Sequence, residues 1–277
     1  MTMVQQTSAR PWRLKRGSGL GIPVALMPAC SGGHMSEPSA SEPAYDGRDP
    51  PGSQPALGRV CAISPHLDDA VLGCGALLAR CHDACVVTVM AGLPPEGPPP
   101  PWDEACGFAS GPEAMRARRH EDIVALGLLG AHACHLDFLD AQYGDPPAVA
   151  SLESAIAART AAADTVLIPM GLFHADHDLT HRAALCVWRR AGARQRWWAY
   201  EDVLYRRKPG LLQRRLAQLQ SEGVRATPLP PQPARAPLKA QAVQAYASQL
   251  RGLGLAGHAG DTAAPEGYWH LERLDAA

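Results

Sequence analysis

The sequence has almost no charge imbalance, no long apolar run and no paired cysteine motif. With 26 Lys and Arg against 27 Asp and Glu, its formal charge is -1 over 277 residues. That balance supplies no general attraction for nucleic acid or anionic lipid, and no nucleic acid partner is expected. No segment approaches the roughly 20 apolar residues that span a bilayer, so no integral membrane segment is expected. Eight cysteines are present, most of them inside apolar segments (Cys61, Cys74, Cys134, Cys186), where they read as small buried hydrophobes. Cys81 and Cys85 with His82, and the run His132-Ala133-Cys134-His135, lack the paired CxxC pattern of a structural metal site and read as packing. This cysteine usage fits a reducing compartment, and a cytoplasmic location is the expectation.

What is present divides unevenly. Residues 1–57 are rich in Gly, Pro and Ser and keep no helical or strand period, so they read as a disordered N-terminal segment. Within them Arg13-Leu14-Lys15-Arg16 precedes a short apolar stretch closing on Met27-Pro28-Ala29-Cys30, a lipoprotein-like alternative; Met35 is equally a start for a cytoplasmic chain. Residues 58–277 are long enough for a single α/β domain, and 46% hydrophobic content suits a globular core.

Along that domain apolar runs of strand length alternate with helical patterns. Val60-Cys61-Ala62-Ile63 reads as a strand stopped at Ser64-Pro65, so His66 stands at its C-terminal tip. Cys74, Leu77, Leu78 and Cys81 then mark one face of a helix, and residues 85–90 a second strand. Pro94 to Pro101 reads as an irregular loop bordering the strand edge. Helices are expected over residues 112–129 and 147–162, and strands over 133–139, 165–168 and 196–200. A further helix carries Ala184, Val187, Trp188 and Ala191, and a late one carries Val243, Tyr246, Ala247 and Leu250 on one face. The Arg116-Ala117-Arg118-Arg119 and Arg206-Arg207-Lys208 patches read as solvated faces. The alternation predicts a three-layer, Rossmann-like α/β fold, a mostly parallel sheet covered by helices on both faces.

Two clusters follow strand ends: His66-Leu67-Asp68-Asp69 and His174-Ala175-Asp176-His177. In such sheets ligands bind beyond the carboxyl ends of the strands, which gives the clusters a reason to meet. Imidazole and carboxylate in this pattern suit one zinc ion per chain, or another divalent metal, with His66, Asp69 and His177 as ligands and a vertex left for water. Asp68 is then placed to take the water proton and deliver it to a leaving amine. His174 is placed to stabilise an oxyanion, with Asp176 as the partner that orients it. His174 is not counted as a ligand, because a closed four-ligand site has no room for water. Taken singly the clusters have plainer readings: Asp69 as a helix cap, and the second cluster as a solvated loop capped by Asp178 with His181 on the exposed side. His181 is expected to be structural.

These residues resemble the PIG-L/LmbE-like family of zinc-dependent N-acetylglucosamine deacetylases. The family's first motif, His-Pro-Asp-Asp-Glu, stands here as His66-Leu67-Asp68-Asp69-Ala70 followed by Gly73-Cys74-Gly75, and its His-Pro-Asp-His motif as His174-Ala175-Asp176-His177. Arg118-Arg119-His120-Glu121, Tyr200-Glu201-Asp202 before Tyr205, and Lys239 with Tyr246-Ala247-Ser248-Gln249 extend the likeness. Leu67 and Ala70 depart from the family pattern at positions that supply no ligand. The resemblance implies His66, Asp69 and His177 as zinc ligands, Asp68 as general base, His174 as oxyanion stabiliser, and Arg118 as a candidate sugar contact. The implied activity is hydrolysis of the N-acetyl group of a small amino sugar or a glycoconjugate. Two alternatives remain: a zinc amidase acting on another amide, such as a thiol conjugate, and a nucleotide-binding Rossmann-type module using the Gly73-Cys74-Gly75 turn.

Overall fold

A computed structural model describes residues 57–192, 194–231, 236–254 and 265–274. The expectations placed on the N-terminal segment, including Cys30 and Met35, fall on residues 1–56, outside the described set. Leu57 is already tied in, since its carbonyl accepts a hydrogen bond from Thr165 Oγ1 at 2.7 Å.

In chain order the elements are β1 (Val60–Ser64), α1 (Asp69–Leu78), β2 (Ala84–Thr88), α2 (Pro101–Ala105), α3 (Gly111–Leu128), β3 (His132–His135), α4 (Val149–Thr160) and β4 (Thr165–Pro169). They continue with α5 (Ala175–Arg190), β5 (Arg196–Tyr200), α6 (Leu211–Ser221), β6 (Val224–Pro228), α7 (Ala236–Gln244), α8 (Ala247–Leu253) and β7 (Tyr268–Arg273). The strands form one 7-stranded sheet in the order β3-β2-β1-β4-β5-β7-β6. Strands β3, β2, β1, β4 and β5 run parallel, and β7 is antiparallel to both neighbours. The expected mostly parallel α/β sheet is the one observed.

Alternate residues of the central strands feed two cores. Val60 and Ala62 of β1, Leu167 of β4, and Trp198 and Tyr200 of β5 pack with α1, α3 and α7. Cys61 and Ile63, Val166 and Ile168, and Trp197 and Ala199 pack on the other face with α4, α5 and α6. A period of two along each strand with both faces apolar is what a sheet covered on both sides requires. From β1 the chain crosses first to β2 on one side, and later to β4 on the other. The crevice at the C-terminal ends of β1 and β4 is therefore the point where strand order reverses.

Helix α1 departs from the expected amphipathic pattern, being buried all round from Ala70 to Leu78. It is also broken: Cys74 sits at φ -144°, ψ 16°, outside helical geometry. The break releases backbone groups that need other partners. Glu266 accepts the freed N–H groups of Ala76 and Leu77 at 2.8 and 3.2 Å, and Lys239 Nζ donates to Leu72 O at 2.6 Å and to Glu266 Oε1 at 2.9 Å. Gly73 lies inside this helix because a Cβ there would meet the Tyr200 ring at 2.5 Å. Its neighbour Gly75 faces Lys239, so both glycines serve close packing rather than a phosphate-binding turn.

The expected late helix is two helices, because Tyr246 leaves helical geometry at φ -83°, ψ 54° and its hydroxyl donates to buried Asp122 at 2.7 Å. Glu121 then caps α8, accepting from Ser248 N and Oγ at 2.9 and 2.7 Å. Strand β3 is shorter than expected, with residues beyond it contributing only a bridge between Met90 and Asp137.

The buried Lys239–Glu266 pair supplies a test of this arrangement. Glu266→Gln leaves the ammonium without its counter-charge and should destabilise the fold by about 3 kcal/mol in urea unfolding; a loss below about 1 kcal/mol would contradict the role given to the pair.

Candidate active site at the end of β1 and β4

Past the end of β1, Ser64 Oγ donates to His66 O at 2.6 Å and accepts from Ala70 N at 3.0 Å, folding the tight link into α1. The turn places the Asp69 carboxylate back over His66. Asp69 Oδ2 accepts from His66 N at 2.9 Å and lies 3.2 Å from His66 Nδ1. It also lies 3.1 Å from His177 Nε2, which arrives from α5. One ligand atom from each of His66, Asp69 and His177 falls within a 4.8 Å group, close enough together that they could hold one metal ion. The capping role weighed for Asp69 does not occur: Asp68 is the N-cap of α1, with no side-chain cap bond.

The second nitrogen of each imidazole is also occupied. His177 Nδ1 lies 2.6 Å from Asp202 Oδ1, and Asp202 Oδ2 accepts from Leu172 N at 2.9 Å. His66 Nε2 lies 3.1 Å from Asp176 Oδ2 and 3.7 Å from Asp140 Oδ2. With those nitrogens keeping their protons toward carboxylates, His66 Nδ1 and His177 Nε2 are the atoms that a bound cation would take in place of the protons they share with Asp69. His66, His174 and Asp176 form a second candidate group, but it would use the His66 nitrogen already committed to Asp176.

This geometry corrects the part expected of Asp176. Its carboxylate does not orient His174; it holds His66 and accepts from Ala141 N at 3.1 Å. His174 is oriented instead by the backbone, since Asp176 N donates to His174 Nδ1 at 3.2 Å. That bond fixes the tautomer whose proton sits on Nε2, leaving a donor aimed away from the helix end.

The electrostatics follow from crowded carboxylates. Burial, and then the neighbouring Asp69 charge, push the Asp68 carboxyl up to about 7. Burial would raise Asp69 as well, but His177 and His66 outweigh it and hold Asp69 well below the ordinary carboxylate value. Against the cost of burial, Asp176 and Asp69 raise His66, and Asp69 and Asp202 raise His177 to about 9. The cluster thus favours bound positive charge, and its nitrogen and oxygen donors suit a divalent cation. His174 moves the other way, lowered by burial and by His66 and His177, so it is a neutral donor near pH 7.

A cavity of about 350 Å³ opens over these groups, lined by Asp68, Asp140 and His174 and by apolar Met90, Trp102, Met115, Leu204 and Leu253. Arg118 also lines it, and here the expectation of a solvated face fails. It is 2% exposed, with its guanidinium 2.6 Å from Asp103 Oδ1 and donating to Tyr143 OH at 3.4 Å. Asp103 belongs to α2, directly after the Pro-rich loop, and accepts from Tyr143 OH at 2.6 Å. Arg116, in the same patch, is exposed as expected.

Sequence reasoning misses Asp140 and assigns Asp202 no role beyond its place in the Tyr200-Glu201-Asp202 resemblance. Asp202 follows β5 by two residues, so the rule that drew attention to the strand ends of β1 and β4 could have found it. His181 is buried rather than on the exposed side, donating from Nδ1 to Pro169 O at 2.8 Å, while Arg215 donates to Gly171 O and Asp178 Oδ1, both at 2.6 Å. Together they brace the loop that carries His174.

A doubly wound sheet with a His/Asp/His donor group at its switch point defines this chain as a candidate metallohydrolase. It belongs to the PIG-L family of deacetylases: residues 61–188 match the family described as PIG-L, GlcNAc-PI de-N-acetylase. Among solved structures it is similar to the A40926 pseudoaglycone deacetylase Dbv21, at 30% identity over 80% of this chain and 100% of that one, TM-score 0.59. A zinc-inhibited form of the teicoplanin deacetylase Orf2 shares 25% identity over 79% and 100% of the two chains, TM-score 0.61. A deacetylase–teicoplanin complex shares 26% over 79% and 100%, TM-score 0.62. Among curated proteins none matches at a significant level. No helix among the described residues is long and apolar enough to cross a membrane.

His181 carries a pH signature. Burial, reinforced by Arg215, lowers it from 6.5 to about 4. Between those values the unfolded chain binds a proton the folded chain refuses, so its stability contribution is full above pH 6.5 and is lost as pH falls toward 4. His181→Asn should flatten that part of the stability–pH curve measured by urea titration, and an unchanged slope would contradict it.

Proposed function

We propose that residues 58–277 form a zinc-dependent deacetylase that hydrolyses the N-acetyl group of an amino sugar, free or carried on a glycoconjugate. The observation that carries this reading is the Asp69 carboxylate lying within 3.2 Å of His66 Nδ1 and 3.1 Å of His177 Nε2, with Asp68 next in sequence and pushed up to about 7. The similarity to deacetylases of A40926 pseudoaglycone and teicoplanin supports a sugar attached to a larger aglycone.

His66 Nδ1, Asp69 and His177 Nε2 would hold the ion. Zinc, when bound there, supplies Lewis acidity and lowers the pKa of water toward about 7. Asp68 takes the proton of the attacking water and returns it to the amine nitrogen as the C–N bond breaks. A carboxyl near neutrality suits both directions of that transfer. The Nε2–H of His174 donates to the oxygen of the tetrahedral carbon, its tautomer already set by Asp176 N. Asp202 and Asp176 hold the protons of His177 and His66 on the nitrogens that face away from the ion, so the ligand lone pairs stay free. The apolar wall of Met90, Met115 and Leu204 excludes bulk water from the amide.

Metal analysis of the purified chain should find about one zinc per chain. Asp68→Asn should keep that zinc and lower deacetylation of N-acetylglucosamine glycosides by about a hundredfold or more. Near wild-type turnover would remove Asp68 from the mechanism. Asp202→Asn should weaken zinc affinity, read by competition with a chromogenic chelator, by about ten- to a hundredfold. An unchanged affinity would show that Asp202 does not tune His177.

A further inference from the structure

The residue before His174 has an unusual backbone and an unusual exposure. Phe173, at φ 66°, is the only non-glycine residue with positive φ among the described residues. His174 N donates to Leu172 O at 2.8 Å, closing a three-residue γ-turn around it. The positive-φ form of that turn is rare and strained, and a bulky side chain makes it more so. Glycine would satisfy this backbone at lower cost. The ring does not recover the cost by burial, since it is 63% exposed, the most exposed of the large apolar side chains described. A bulky ring kept in a strained turn while mostly exposed points to a use outside the fold's own core.

The ring also sits in line with the candidate site. It lies 5.2 Å from the Tyr205 ring with planes tilted by 36°, and Tyr205 lines the cavity and meets His177 edge-on at 5.2 Å. Phe173 and Tyr205 therefore make a shallow aromatic step leading from solvent to the proposed metal position. Lys208 Nζ rests 3.9 Å from the Phe173 centroid and covers one face of the ring, which a partner from outside would have to take over. An exposed cation–π contact of that kind is weak and yields readily to an arriving ring.

We propose that Phe173, supported by Tyr205, is the outer subsite of the pocket and takes the face of an aromatic ring on the aglycone that carries the amino sugar. This rests on the deacetylase reading above and names the substrate class within it. The sugar and its acetamide occupy the cavity over Asp68 and His174; the group beyond the anomeric oxygen meets the step at the rim. Two rings at a fixed small tilt offer a preorganised face to a flat partner, and a flexible alkyl chain gains less from them.

The test compares methyl, octyl and phenyl β-glycosides in the zinc-loaded full chain. Calorimetric binding of the free-amine products should show the phenyl glycoside about three- to tenfold tighter than the methyl one. Phe173→Gly, which suits the turn and should fold, is expected to erase that ratio, in binding and in kcat/KM for the N-acetylated forms. Phe173→Tyr is expected to restore it. A phenyl preference that survives in Phe173→Gly, or an octyl glycoside that gains as much as phenyl, overturns the subsite. Turnover with no phenyl preference also overturns it. A Phe173-dependent binding preference in a chain that deacetylates none of the glycosides upholds the subsite and defeats the deacetylase reading.

Discussion

The site depends on one oxygen. Asp69 Oδ2 receives the backbone N–H of its own turn and faces a ring nitrogen from each of two histidines, one after β1 and one in α5. Those histidines are separated by more than a hundred residues, and only the adjacency of β1 and β4 brings them to one carboxylate. That adjacency exists because strand order reverses at β1. Fold and site are thus one constraint, since any sheet order that separated β1 from β4 would leave Asp69 with a single imidazole.

Around that oxygen the chain spends stability on arrangement. Asp68, Asp69, Asp176 and Asp202 are gathered in a buried space where like charges repel, and the repulsion is offset by histidine protons or by a bound cation. The same crowding separates the groups by protonation. Asp69 is held ionised, Asp68 is raised toward neutrality, and His174 is kept a neutral donor. Environment, more than residue type, distinguishes two adjacent aspartates in this chain.

Much of this was legible in the sequence, for identifiable reasons. Apolar runs ending at Ser64-Pro65 and Pro169-Met170-Gly171 marked strand ends, and both acidic-imidazole clusters followed them. Their meeting could be foreseen because parallel sheets gather ligands at such ends. The burial of Arg118 could not, since its partner Asp103 lies in a short helix after a Pro-rich loop that shows no period. The break between α7 and α8 coincides with the Tyr246–Asp122 hydrogen bond, a contact across 124 positions that local periodicity cannot report. Asp176 shows a subtler limit. Its neighbourhood to His174 in sequence suggested a pairing, yet helix geometry turns the carboxylate toward His66 and leaves His174 to the backbone N–H.

The central claim is that His66 Nδ1, Asp69 and His177 Nε2 share one divalent ion. Anomalous diffraction at the zinc edge, from crystals of the zinc-loaded chain, tests it most directly. The account predicts one strong peak about 2.0–2.2 Å from those three ligand atoms. A peak bound instead through His66 Nε2 with His174 and Asp176, or no peak in the crevice between β1 and β4, would contradict it.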